Sequence, residues 1–186
     1  MRLVTDRGAD RVTVDEVLIE AEASASSLYH HFGNREGLLA AVEEERDRRG
    51  WSGQRQNLSG GLTAQTPEEF LAYIESEIRR IATDPQTVAI RRDRLQVAAR
   101  ALDSRELAAA RRKLQAQMID AVAAMFDAAQ ARGLIPADLD TRAYSGWYSG
   151  MNMGRAFTED GTLDAEAWLA IAVPAALAPL RLPEPA

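Results

Sequence analysis

Cysteine is absent from this 186-residue chain, so disulfides, thiolate metal sites and cysteine nucleophiles are excluded. Histidine is nearly absent. His30 and His31 are the only two, and as neighbours on one backbone they point in different directions and make a poor metal pair. Lysine occurs once, at Lys113, against 21 arginines, a bias that speaks of a GC-rich coding genome more than of function. No stretch approaches twenty uninterrupted apolar residues, and no basic segment followed by an apolar run opens the chain. Neither a membrane span nor a secretory leader has support, and the cytoplasm is the expected location. Positive charge is also short: the net charge of −6 argues against broad, sequence-independent binding to nucleic acid, which draws its affinity from phosphate neutralisation. What is present is ordinary for a globular protein, 46% hydrophobic and 27% charged residues, in a length that buries a substantial core as one or two domains.

The most organised stretch runs from Val12 to Leu39. Thr13 and Glu16 have the spacing of a capping box, and Val14, Val17 and Leu18 fall on one face of a two-turn helix. The pattern breaks around Glu22 and Ala23. Ser24 then caps a second helix running to about His31, with Leu28 and Phe32 able to face inward. Ala25, Ser26, Ser27, Tyr29 and His30 give its other side small and hydrogen-bonding groups. Asn34 caps a third helix, with Arg35 and Glu36 in its first turn. Two short helices joined by a tight turn, the second polar on its outer side, form a helix-turn-helix pattern.

The run S-A-S-S-L-Y-H-H-F-G-N-R-E-G-L-L-A-A-V resembles the signature of TetR-family transcriptional regulators. In that family a serine-capped recognition helix ends in L-Y-x-H-F, and x-(K/R)-E-x-L-L opens the connecting helix. Ser24, Ser27, Leu28, Tyr29, His31, Phe32, Arg35, Glu36, Leu38 and Leu39 match. Three features depart from the family. Met1–Arg7 reads as only the last two turns of a first helix, ended by Gly8. Glu22 stands in the turn where glycine is usual, and Ala25 where many members carry a cation. Residues 1–40 hold four positive and seven negative charges, net −3.

Beyond this unit the periodicity predicts an all-α protein of about nine helices. The resemblance implies that residues 1–49 are the DNA-binding unit with its connecting helix and 67–182 a helical effector-binding and dimerisation domain, with 50–66 expected as a flexible glycine-rich loop between them. Thr66-Pro67-Glu68-Glu69 is a strong helix start, with Glu69 closing a capping box. Asp84-Pro85 repeats the cap-and-proline start, and Arg91, Arg92 and Arg94 then read as a solvated face or an anion cluster. The longest helix spans about Ser104–Arg132, with Leu107, Leu114, Met118, Val122, Met125 and Ala129 on one face, and Gly133 ends it. Asp140 caps a helix in which Gly146, Gly150 and Gly154 share a face beside Tyr144, Trp147, Tyr148 and Met151. Mid-helix glycine costs ~1 kcal/mol relative to alanine, so a close approach is expected there, either within the subunit or, preferably, at a subunit interface. The last helix, about Asp164–Leu180, carries Trp168 and Ile171 and should kink at Pro174. The tail from Leu182 is expected to be disordered.

The resemblance implies a homodimer formed through the last two long helices, with Gly146, Gly150, Met151, Gly154, Trp168 and Ile171 at the interface. It implies a near-palindromic double-stranded DNA operator, with Ser24, Ser26, Ser27, Tyr29, His30 and Arg35 as DNA contacts; His31 and Phe32 are expected to pack inward. It also implies a small, mostly apolar effector between helices, with Phe70, Tyr73, Ile74, Leu95, Met118, Val122, Met125 and Trp147 as lining. The function so implied is that of a regulator, by the family's common mode a repressor, released by its effector. The alternative is a dimeric ligand- or partner-binding protein of the same build that no longer grips DNA. An enzyme is not expected. Ser27 and His31 are four apart, but no third group orients the histidine. No cofactor or metal site is expected either.

Overall fold

The computed structural model of the chain describes residues 24–34, 36–38, 40–42, 45 and 58–183, with the side chains of Ala25, Leu28 and Tyr29 excepted. The capping box at Thr13, the apolar face at Val14, Val17 and Leu18, the short first helix ending at Gly8, Glu22, Arg35, residues 50–57 of the expected loop and the tail from Glu184 lie outside the described residues. The described residues are helical, without a strand. The named helices are α1 (Ala25–Phe32), α2 (Pro67–Thr83), α3 (Pro85–Arg100), α4 (Arg105–Ala131), α5 (Thr141–Gly154) and α6 (Ala165–Leu177).

The helix starts follow from caps visible in the sequence. The Ser24 hydroxyl accepts the backbone N–H of Ser27 at 3.1 Å, and the Asn34 side chain accepts that of Gly37 at 2.7 Å. Thr66 accepts from Glu69 N–H at 3.2 Å. The return bond of the expected capping box lands one residue early: the Glu69 carboxylate accepts from Gln65 N–H at 2.7 Å. Asp84, Asp140 and Asp164 cap α3, α5 and α6, and Ser104 caps α4. Each satisfies amide groups that a helix start otherwise leaves open.

The chain divides into two compact units, Met1–Ser52 with Ala98–Leu114, and Gly53–Val97 with Gln115–Ala186. In the first, Leu38, Ala101, Leu107 and Ala110 are buried apolar residues. In the second, one core contains Phe70, Ile74 and Ile78 of α2, Met125, Phe126 and Ala129 of α4, Tyr144 and Tyr148 of α5, and Leu169, Ala172, Ala176 and Leu177 of α6. The Phe126 ring sits edge-on between Phe70, 5.8 Å away, and Tyr144, 4.9 Å away. The Tyr144 hydroxyl donates to Ala176 O at 2.7 Å, fastening α5 to α6, and α2 packs along α6. α6 runs on through Pro174 to Leu177 and closes in a 3-10 turn, Ala178–Leu180.

Three expectations change. Residues 58–63 are helical rather than loop. The Arg132 guanidinium donates to the carbonyls of Gly61, Leu62 and Ala64 at 2.7–3.1 Å, satisfying the end of that turn. Its glycines let it lie close to α2 and α4: a Cβ at Gly61 would be 2.5 Å from Met125 Sδ and 2.8 Å from Tyr73 Cε1. Second, Arg91 is neither solvated nor available to a free anion. It is buried, ion-paired to the equally buried Glu159, and donates to Ile81 O at 3.0 Å. Arg92 reaches the other Glu159 oxygen at 3.3 Å. Third, His31 and Phe32 are exposed. They occupy the last turn of α1, immediately before Gly33 with its φ of 74°, where the helix ends and no further turn covers them.

Candidate functional site

α1 is eight residues long and contains no lysine or arginine. Of the residues expected to contact DNA, Ser24, Ser26, Ser27 and His30 are exposed on or beside this helix. The structure thus presents one continuous set of hydroxyl and imidazole groups, with His31 beside them, its ring centroid 5.8 Å from that of His30. These groups donate and accept hydrogen bonds but bring no fixed positive charge, so they suit base edges and individual phosphate oxygens better than bulk phosphate neutralisation. Sequence reasoning missed one residue that holds this region. A Cβ at Gly37 would overlap the carbonyl oxygen of Phe32, so only glycine lets the helix after Asn34 start this close to the end of α1.

The residues expected to line an effector site do not form one group. Phe70, Ile74 and Met125 are shut into the core. Tyr73 and Val122 are partly buried against it, and Leu95 and Met118 are partly buried. Trp147 is 46% exposed. It lines a shallow, apolar hollow of ≈ 370 Å³ with Leu139, Asp140, Ala143, Tyr144 and Pro179. Phe126, at the centre of the core, was not singled out by the sequence, although it stands four residues after Val122 on the same stripe.

Polar groups accompany α2 and α5. The Arg80 guanidinium binds the Glu77 carboxylate at 2.7 Å and the Thr87 hydroxyl at 3.0 Å. The hydrogen bond to Glu77 pushes the Arg80 pKa above its ordinary value. Burial, reinforced by the Glu77 charge, raises the Tyr73 phenol. Burial raises Tyr148 as well, against a hydrogen bond from Asn152 that lowers it. Both tyrosines are therefore neutral hydrogen-bonding groups across the physiological range. Gln115 donates to the Ser149 hydroxyl at 2.9 Å, tying α4 to α5, and Arg94 approaches Met118 Sδ at 3.7 Å.

Among the described residues, no close intramolecular partner explains the three glycines of the expected interface. A Cβ at Gly146 would meet only Ile119 Cδ1, at 3.9 Å, and one at Gly150 or Gly154 would meet nothing within 4 Å. Ile171 is 72% exposed, while Met151 and Trp168 are partly buried. Trp168 lies under the Arg155 guanidinium, 5.7 Å from ring centroid to Cζ. Among the described residues no group of three or more histidines or carboxylates could hold a metal ion, and no helix is long and apolar enough to cross a membrane.

These features define an all-helical protein with a short, capped, exposed polar helix near its N-terminus and a helical body that follows it in the sequence. Residues 1–42 match the model of the bacterial regulatory proteins of the tetR family, and the chain has the TetR fold. It superposes on a Rhodococcus sp. protein assigned to the TetR-family transcriptional regulators with a TM-score of 0.69 at 21% identity, covering 96% of this chain and 92% of that one. Salmonella enterica GusR gives a TM-score of 0.68 at 18% identity, over 96% and 90% of the two chains. A TetR-family transcriptional regulator from Pectobacterium atrosepticum gives 0.63 at 25% identity, over 98% and 91%. No curated protein matches the chain in sequence. The family resemblance read from Ser24–Leu39 is thereby borne out, as is the all-α plan.

Proposed function

We propose that this chain is a transcriptional regulator that binds a near-palindromic operator as a homodimer, acts as a repressor, and is released by a small-molecule effector. The observation that carries this reading is α1 itself. It is a serine-capped helix, exposed along Ser24, Ser26, Ser27 and His30, inside the segment that matches the tetR-family model. Ser26, Ser27, Tyr29 and His30 would read base edges and phosphates, and Arg35 would contact a phosphate. The N-terminal amides at Ser24 and Asn34 suit further phosphate oxygens. The protein works in the cytoplasm and is not an enzyme.

A dimer is supported by the open glycine face at Gly150 and Gly154, which no described residue of the same subunit fills, and by exposed Trp147 and Ile171. Met151, Gly146 and Trp168 would complete that surface. A two-fold axis would set two copies of α1 one or more DNA turns apart, ~34–36 Å each. An effector would favour one pre-existing dimer geometry over another and so move the reading helices out of register.

A second reading has its own observation. α1 contains no lysine or arginine and residues 1–40 carry a net charge of −3, which suits a dimeric ligand-binding protein that has lost its grip on DNA. The two are separated by titrating labelled fragments from around the protein's own gene across a salt series. Saturable, salt-sensitive binding to a palindromic fragment, lost in Tyr29→Ala, supports the regulator. Absence of binding to every fragment supports the second reading.

A further inference from the structure

We propose that the apolar hollow beside Trp147 binds an organic cation, an amine on an aromatic or aliphatic body, with Asp140 holding the charge. The proposal rests on the reading of this chain as one released by a small molecule, and adds where that molecule sits and what charge it carries. The interior lining implied by the family resemblance is closed at Phe70, Ile74 and Met125, each at most 3% exposed. The hollow is open. Its ≈ 370 Å³ lie between the start of α5 and the 3-10 turn after α6, within the range of about 300–1,000 Å³ usual for small-molecule sites. Its walls are held in place by the fold. The Gln130 amide donates to Pro136 O at 2.8 Å and Leu139 O at 3.0 Å, fixing the connector that supplies Leu139 and Asp140. The Tyr144 hydroxyl is engaged by Ala176 O, which leaves its ring as wall. A ligand therefore has little left to order on arrival.

The charge of the ligand follows from the rim. Asp140 is the one charged residue among the six that line the hollow, and it is exposed. It caps α5 by accepting Ala143 N–H at 2.8 Å through one carboxylate oxygen. A carboxylate accepts at both oxygens, so capping leaves the second for another donor. Arg142, the nearest cation along the chain, is bonded to Asp120 at 2.9 Å, and Asp138 adds a second exposed carboxylate two residues before Asp140. Trp147, 46% exposed and 5.6 Å from the Tyr144 ring, supplies the aromatic surface that an ammonium group prefers to a plain apolar wall. A ligand carboxylate would meet a like charge here, and a neutral ligand would leave Asp140 without a role. The N-terminal end of α5 offsets part of the Asp140 field, so the preference for a cation is severalfold, not hundredfold.

The test is a set of heteronuclear NMR titrations on the full chain with benzylamine, benzyl alcohol and benzoate, read at the Ala143 amide and the Trp147 indole N–H. The amine should bind about fivefold or more tighter than the alcohol, and benzoate more weakly than either. Dissociation constants on the order of 0.1–1 mM suit a hollow that leaves one side of the ligand wet. Asp140→Asn keeps the cap, since asparagine caps as well as aspartate, and removes the charge. In that variant amine and alcohol should agree within about twofold. Trp147→Leu keeps an apolar wall without the ring, and should weaken the amine about threefold or more and the alcohol less. Equal affinity for amine and alcohol in the parent, a preference that survives Asp140→Asn, or no binding of any probe would overturn the proposal. Trp147 also belongs to the proposed dimer surface, so the titrations are repeated over a protein concentration series. Amine binding lost as a dimer forms would give the hollow to the second copy and likewise overturn it. DNA titrations of the same preparation keep the two readings apart. Lost DNA binding with an intact amine preference sinks only the regulator, and intact DNA binding with no amine preference sinks only the ligand chemistry.

Discussion

α1 and the helical body that follows it in the sequence are held by different physics. α1 is eight residues long, too short to persist alone, and its outward residues are polar and exposed. A serine cap starts it and Gly33 ends it. The body is held by one core shared by α2, α4, α5 and α6, fastened by the Tyr144–Ala176 hydrogen bond and the buried Arg91–Glu159 pair. Substitutions in α1 should therefore change what the protein binds more than whether it folds. Substitutions in the body should do the reverse.

The largest expected effect lies at the centre of the core. Phe126→Ala removes a fully buried ring between Phe70 and Tyr144 and should cost about 3–5 kcal/mol in denaturant unfolding. A cost below about 1 kcal/mol would mean that the core can collapse around the gap. Next is the ion pair. Arg91→Met leaves the Glu159 carboxylate buried with only the exposed Arg92 as partner and should cost about 3 kcal/mol or more. The double change Arg91→Met with Glu159→Met should recover most of that loss, because the uncompensated charge is gone. A double variant as unstable as the single one would show that shape, not charge, is at stake.

Two glycines sharpen the contrast within the body. Gly61→Ala would press a methyl against Met125 and Tyr73 and should destabilise by about 1–3 kcal/mol. Gly150→Ala meets open space and should stabilise the isolated subunit by up to about 1 kcal/mol through helix propensity. The proposed dimer should loosen in that variant, which sedimentation of both proteins over a concentration series would reveal. A tighter dimer would place the interface elsewhere.

The smallest effect is one of pH. Hydrogen bonds from the Thr87 hydroxyl and amide hold the Asp84 carboxyl below its usual range. Its folded-state pKa is lowered, so its contribution is present above the unfolded aspartate value of about 3.9 and is lost as pH falls through the folded value. Thr87→Val should therefore lower stability at neutral pH and flatten the acid limb below about pH 4 in melts recorded across pH.

How much of this was legible in the sequence differs by region in an informative way. The caps at Ser24, Asn34, Thr66, Asp84 and Asp140 were readable because an N-cap is a local hydrogen bond over two or three residues. The helical turn at 58–63 was not, since its glycines read as a loop until Arg132, some seventy residues on, supplies the carbonyl partners. Nor was the burial of Arg91, whose partner Glu159 lies 68 residues away. The grouping of Ala98–Leu114 with the N-terminal unit has no compositional signal either. Of the candidate site, the polar face of α1 followed from its residue types. The expected effector lining was chosen by apolar character, which cannot tell core from pocket, and Phe70, Ile74 and Met125 proved to be core.

The most direct test of the central claim is a fluorescence-anisotropy titration of a palindromic fragment from the gene's own flank. The parent protein is compared with His30→Glu, which adds a negative charge to the exposed face of α1. The account predicts saturable binding by the parent that weakens with salt, and at least about a tenfold loss in His30→Glu with its unfolding midpoint unchanged. Equal affinity in the two proteins would contradict it, because the face read here as the DNA-reading surface would then not touch the DNA.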